Sequence, residues 1–367
     1  MDNRDYKFSA VDLLYGSYIR YERLMAMTQF AFYGKTDSNS VNIFIDAYSI
    51  LRNLYTKGTN LIVDDSCAIA SCLINLAIHL RAYFETRHRV SSTIFIVYGG
   101  ARSAEAIRII PEYNAKNIFM EDSNGYLTRL IRDNLDICKI LTPYLHDIFT
   151  IVDYEQEFGV LASNLIDIGK DIPAPNIIYS KDPMSYQLVA FKPRTFLYRP
   201  KKRANEDVSW VATKSTLYNA FRNGEMGLKS VIDTDLSHAM ISIYMSLVGV
   251  KSRNLNSLKN ANVSLNLLHE AVAQNVFCNG YNAHALLNHG SFDDPFSNPI
   301  FTNAGINPAE VKARFKTIDL VSQTVNYQSS VASKSVIKDI VNLYDPDEVR
   351  AINNKYFQRY PLDLNRV

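Results

Sequence analysis

Short apolar runs that close on an acid or a glycine alternate with helix-length segments through the first half of this chain. That alternation constrains the fold more than any other feature. VNIFID (41–46) is an apolar run ending in an acid, the pattern of a strand buried on both faces of a parallel sheet. TIFIVY (93–98) repeats it and runs into Gly99 and Gly100. Residues 177–180 and 186–190 flank a turn at Asp182-Pro183, and RTFLY (194–198) reads as a further strand. Between them, 65–89 reads as a strong helix, with Asp64 or Asp65 as cap and basic residues in its last turn. Residues 155–168 read as another helix, and the stretch from the second strand to about 150 as helical or looped. Strand–helix alternation of this kind specifies an α/β fold, a central mostly parallel sheet flanked by helices.

Outside this core, 9–33 has helical spacing of Leu13, Leu14, Tyr18, Tyr21, Leu24, Met25 and Phe30, an N-terminal helix added before the first strand. Residues 34–40 form a polar loop. After about 207 the pattern is mostly helical, over 228–250, 254–278, 308–325 and 333–356. A long Gly-, Pro-, Asn- and Asp-rich loop spans 288–308, and the ending YPLDLNRV reads as an extended tail, docked or free. The expected divisions are 1–40, 41–206, 207–285 and 286–367.

Composition excludes several classes. The 367 residues carry a net charge of only +2, so any nucleic-acid surface must be a local patch. The four cysteines, Cys67, Cys72, Cys138 and Cys278, form no CxxC pair and read as reduced thiols of an intracellular protein. The start MDNRDYKFSAVD is not a signal peptide, and no apolar run has the length of a membrane span. No HExxH, zinc spacing, phosphate-binding loop or GxSxG elbow occurs.

In open α/β sheets ligands bind at the carboxyl ends of the strands. Asp46 ends the first strand, Gly99 and Gly100 the second, and Tyr179 to Asp182 a later one, while Glu155 and Glu157 open a helix beside them. Carboxylates in such a crevice suit two-metal phosphodiester hydrolysis, in which paired Mg²⁺ ions activate water and stabilise the leaving oxygen. A single strand-end Asp is as readily a cap or turn former. The ordered series is what carries the chemistry.

That series resembles the flap endonuclease and phage-type 5′-3′ exonuclease family, a PIN-like nuclease fold, over about residues 41–260. GGARSAEAIRIIPEYNAKN (99–117) is similar to the family's stretch from the second catalytic strand into the helical arch, with Arg108, Pro111, Glu112 and Tyr113 in place and Asn114 where the family has Lys. The resemblance implies an arch-like segment near 108–135 and a region resembling the helix–three-turn–helix within 207–285. It also implies metal-binding and catalytic roles for Asp46, Glu155, Glu157, Asp182 and Asp235, with Mg²⁺ or Mn²⁺ as cofactor if the chain is active. Other acids of the pattern are gone. Gly100, Phe158 and Met184 stand at three of those positions, and His238 replaces the second Asp of a Gly-Asp-x-x-Asp-Asn motif lying loosely on Thr234 to Ala239. Losing carboxylates together with metal is physically coherent, since buried acids without a cation are costly.

The implied function is a nucleic-acid-binding protein with an eroded, inactive metal site. It would bind DNA or RNA within a larger complex, in a phage replication or transcription setting and thus a bacterial host's cytoplasm. One alternative is an active Mg²⁺-dependent 5′-nuclease. Another is a protein-interaction subunit, docking through 9–33 and the region after 260. FKPRTFLYRPKKR (191–203) places Lys192, Arg194, Arg199, Lys201, Lys202 and Arg203 among aromatics, either for phosphate contact and stacking or as the protected edge of a sheet. Arg108 and Lys116 in the arch-like segment, and Lys251 and Arg253 after the thinned backbone-gripping turn Leu247–Val250, are the other candidate nucleic-acid contacts, with Arg129 and Arg132 as weaker ones.

Overall fold

The computed structural model describes residues 40–48, 66–100, 104–113, 126–169, 174–180, 182–199, 210–212, 217, 238–250, 253, 255–258, 295–297, 299–329, 343–359 and 361–366. The helix expected over 9–33 and most of that over 254–278 lie outside them.

Among the described residues, six strands form one sheet: β1 (Ser40–Asp46), β2 (Ser91–Gly99), β3 (Ile148–Asp153), β4 (Asn176–Tyr179), β5 (Thr195–Arg199) and β6 (Trp210–Ala212). Their order is β3-β2-β1-β4-β5-β6. The first five are mutually parallel and β6 runs antiparallel to β5. β5 is therefore not an edge strand.

Side chains alternate strictly across the sheet, as the two-residue period requires. Val41, Ile43 and Ile45 of β1, Ile94, Ile96 and Tyr98 of β2, and Ile177 and Tyr179 of β4 pack on one face. There they meet α1 (Ser66–Tyr83), α3 (Tyr126–Leu141) and α10 (Pro346–Tyr356). The tail is docked on this side: Asp363 pairs with His79 of α1 at 3.2 Å, and Leu362 is buried. Phe44, Val97, Ile151, Ile178 and Leu197 point the other way. That face is covered by α4 (Phe158–Ile168), α5 (Tyr186–Phe191), α6 (His238–Val248), α8 (Pro308–Ile318) and α9 (Leu320–Gln328). Phe44, Phe95 and Phe149 stack across three strands at 5.0 and 5.7 Å. Two more helices are short, α2 (Ala104–Ile109) and α7 (Pro299–Asn303).

Several expectations are corrected. IFTIVD (148–153), expected as helix or loop to about 150, is β3, in register with β2 from Ile94↔Ile148 to Gly99↔Asp153. Its six residues are too few for periodicity to decide, and pairing with β2 decides for strand. Residues 186–190 are helical because the Asp182 carboxylate accepts the Met184 N–H and starts a helical turn that continues into α5. The helix expected over 155–168 begins at Phe158, with Glu157 at its extended N-cap. The single helix expected over 308–325 breaks at Asp319, which leaves helical geometry to cap α9 by accepting the Ser322 N–H at 3.0 Å. Residues 343–345 are not helical, and the loop expected over 288–308 contains α7.

Candidate functional site

The strand order reverses between β1 and β4, because β2 and β3 lie to one side and β5 and β6 to the other. Crevices at such a switch point, outside the carboxyl ends of the strands, are where α/β sheets bind ligands. Asp46 closes β1 there, on the same face as Phe44, and is only 2% exposed. Ser180, one residue beyond β4, shares the face of Ile178. Its Oγ donates to Asp46 Oδ2 at 2.6 Å and accepts the Asp182 backbone N–H at 3.0 Å. Asp182 then holds the next turn through Oδ1, which accepts from the Met184 N–H at 3.2 Å.

Glu157 enters from the start of α4. Gly99 makes that approach possible, since a Cβ there would stand 2.4 Å from the Phe158 nitrogen. Glu157 is 1% exposed, and both its oxygens are engaged. Oε1 accepts from the Tyr113 hydroxyl at 2.5 Å, and Oε2 accepts from Arg253 Nη2 and Nε at 2.9 and 3.2 Å. The same Nη2 also donates to Asp182 Oδ2. A buried arginine thus stands between two of the five acids singled out in the sequence.

Burial pushes the Glu157 carboxyl above the usual carboxylate range; Arg253 opposes this and the Asp182 charge adds to it. Burial works against the charge of Arg253, but Asp182 and Glu157 outweigh it and hold the guanidinium protonated well above its ordinary value. The Tyr113 hydroxyl is pushed up by burial and by Glu157, so it stays a donor.

The turn that delivers Arg253 is fixed by the backbone. Gly249 sits at φ +81°, closed to other residues both by that conformation and because a Cβ would lie 2.3 Å from the Leu255 carbonyl oxygen. The Arg253 and Leu255 N–H groups both donate to the Val250 carbonyl, at 2.8 and 3.2 Å, and Leu258 N–H returns to Leu247 at 2.9 Å.

Of the other expected acids, Glu155 does not join this group. Glu155 is exposed in the turn before α4, its N–H donating to Asp153 Oδ1 at 2.9 Å. Asp153 ends β3 and accepts from the Tyr327 hydroxyl at 3.0 Å. Asp235 lies outside the described residues. At Gly100, where the resembling pattern carries an acid, a Cβ would come within 1.5 Å of the Tyr154 carbonyl oxygen. No side chain fits there with the β3–α4 turn in this position.

A two-metal centre needs several carboxylate oxygens open to cations. Here Glu157 and Asp182 spend theirs on Tyr113, Arg253 and the Met184 N–H, and among the described residues no three His, Cys, Asp or Glu side chains are grouped to hold a metal ion. The described residues as arranged do not fit such a centre.

The described basic candidates are dispersed. Arg253, expected on a phosphate-gripping turn, is 6% exposed and directs its guanidinium inward. Lys192 is also buried, paired with Asp167 at 2.5 Å, and that burial lowers its pKa. Arg194 is exposed in the turn before β5, at the sheet end opposite Asp46, whereas Arg199 ends β5 on the Asp46 side. Arg108 is exposed in the last turn of α2. Lys116, Lys201, Lys202, Arg203 and Lys251 lie outside the described residues, and the side chains of Arg129 and Arg132 are not among those described.

Sequence reasoning missed Ser180 as the link between Asp46 and Asp182, and Tyr113 as the partner of Glu157. The face alternation of β4 was the signal available for Ser180. Nothing local distinguishes an inward Arg253 from an outward one.

No protein-family model matches the chain, and no curated protein matches it in sequence. Solved structures do match in fold. One is a pseudo-enzyme form of the bacteriophage T5 D15 flap endonuclease in complex with product DNA and metal ions, 13% identical, covering 86% of this chain and 99% of that one at a TM-score of 0.51. Another is T5 5′-exonuclease with bound divalent zinc ions, 11% identical, covering 87% and 98% at 0.51. The chain therefore has the flap endonuclease and 5′-3′ exonuclease fold. Among the described residues, no helix is long and apolar enough to cross a membrane.

Proposed function

We propose that this chain is a nucleic-acid-binding protein on a flap endonuclease fold whose strand-end acids do not perform metal-dependent cleavage. The observation that carries this reading is Arg253, whose guanidinium bonds Glu157 and Asp182 where the fold's chemistry calls for cations. The blocked position at Gly100 supports it. Binding to DNA or RNA is favoured by the fold and by a neighbour of that fold described with DNA. Arg108, Arg199 and the basic run at 201–203 are the proposed contacts, with Lys116 and Lys251. Phosphate contacts at a few such positions need no large net charge. The proposed setting is a larger complex, viral replication or transcription, with residues 41–206 as the nuclease-like body.

The test is a cleavage assay on 5′-flap and single-stranded substrates with Mg²⁺ or Mn²⁺, run beside binding at increasing salt. The expected result is no cleavage by folded protein and binding that weakens steeply with salt. Cleavage that disappears in Asp46→Ala/Glu155→Ala would establish instead an active Mg²⁺-dependent 5′-nuclease using Asp46, Glu155, Glu157, Asp182 and Asp235. Absence of both cleavage and binding would point to a subunit acting through protein contacts.

A further inference from the structure

Two buried carboxylates side by side repel, and each loses hydration. They persist charged only with a cation between them. In this crevice the cation is part of the chain. Arg253 reaches Glu157 through two nitrogens and Asp182 through one, using the planar fork that makes arginine suited to bridging carboxylates. Its position does not depend on a surface rotamer. The Gly249 turn sets the backbone, and Arg314 braces the following loop by donating to the Asn256 carbonyl. Through Glu157 the bridge also reaches Tyr113, in the turn after α2. One guanidinium therefore joins the α6 turn, the start of α4, the β4–α5 corner and the root of the arch-like segment.

We infer that Arg253 is a built-in counter-ion that replaces a divalent cation in holding this end of the sheet together, so that the folded protein is indifferent to divalent metal. The inference rests on the reading that the acids take no metal, but not on nucleic-acid binding. Removing the guanidinium leaves Glu157 and Asp182 as hard oxygen donors facing one another, a pair suited to Mg²⁺ or Mn²⁺ with water completing the shell.

The test is thermal unfolding of the full chain in EDTA and in millimolar Mn²⁺ at matched ionic strength. Wild type melts at the same temperature in both. Arg253→Ala melts roughly 5–10 °C lower in EDTA and regains at least half of that loss with Mn²⁺. If Arg253→Ala does not fold in EDTA, it folds when Mn²⁺ is added. The neutralised variant Arg253→Met/Glu157→Gln/Asp182→Asn folds and melts without any Mn²⁺ dependence. A loss in Arg253→Ala that Mn²⁺ does not restore, or no loss at all, overturns this inference and leaves the proposed function standing. A wild-type midpoint that rises with Mn²⁺ overturns both.

Discussion

The two faces of the sheet are held by different physics. On the side of α1, α3 and α10 the contact is hydrocarbon: Ile43, Ile45, Leu73, Ile74, Ala77, Ile94 and Ile96 are all essentially inaccessible. Its polar groups lie toward the helices: the Tyr98 hydroxyl donates to Asn134, His79 pairs with Asp363 of the docked tail, and Arg81 pairs with Glu85. On the side of α4 to α9 the core is also apolar, but it is threaded by buried polar groups. Gln187 accepts from Ser242 and from the Leu320 N–H, Asp319 takes Ser242 and Ser322, and Glu157, Asp182 and Arg253 close the carboxyl end. Hydrocarbon packing tolerates shape-conserving change and gives no pH dependence. Buried ions are specific in geometry and fail sharply when one partner goes. The candidate site lies wholly on the second face, where changing one residue changes what the others can do.

The largest expected break falls at Gly100. Gly100→Asp restores the acid of the resembling pattern, yet its Cβ would overlap the Tyr154 carbonyl. A loss of roughly 4 kcal/mol or more is expected, or failure to accumulate folded protein, measured by urea unfolding. A stable Gly100→Asp would mean that the β3–α4 turn readily moves aside. On the opposite face, Ile45→Ala should cost about 2–5 kcal/mol by leaving a cavity, with the same loss at every pH and in EDTA or Mn²⁺. A metal-dependent loss there would dissolve the contrast between the faces.

Glu157 sharpens the comparison through pH. Its folded pKa is raised above the ordinary value of 4.5, so between those two points the folded chain binds more protons than the unfolded one. That contribution to stability is fully present below 4.5 and is lost as pH rises through the folded value. Glu157→Gln cannot titrate, so the stability of wild type relative to this variant should fall as pH rises through that window. A relative stability that grows with pH would show instead that the Arg253 pairing dominates burial.

The smallest effect is chemical. Burial pushes the thiols of Cys72 and Cys138, both on the hydrocarbon face, up to about 12. In a Cys278→Ser background, mass spectrometry after brief alkylation at mildly basic pH should find both unmodified until the protein is unfolded.

The sheet was legible because β1, β2 and β4 carry their burial in the chain itself: a run such as Ile43-Phe44-Ile45 is apolar on both sides. β3 was not, because Ile148–Asp153 becomes a strand by pairing with β2. The turn at Asp182-Pro183 was legible but not its continuation into α5, and the break at Asp319 was hidden because a capping carboxylate and a surface one look alike in sequence. Asp46 and Asp182 were singled out by their places at strand ends, and Ser180 links them. Arg253 was read as a basic residue after a helix. Its inward course depends on Gly249, on Leu255 returning to Val250 and on Leu258 returning to α6, which are contacts made only in the fold. The run 191–203 shows the converse failure. Residues close in the chain are separated by β5, with Arg194 at one end of the sheet and Arg199 at the other, and Lys192 is spent on Asp167.

The most direct measurement is a Mn²⁺ titration of the full wild-type chain followed by electron paramagnetic resonance of the free ion. The expected result is no uptake at the strand-end acids: the free-ion signal rises with each addition as in buffer and is unchanged by Asp46→Asn/Asp182→Asn. Stoichiometric uptake that those two substitutions abolish would contradict it, and would mean that Arg253 yields its place to metal.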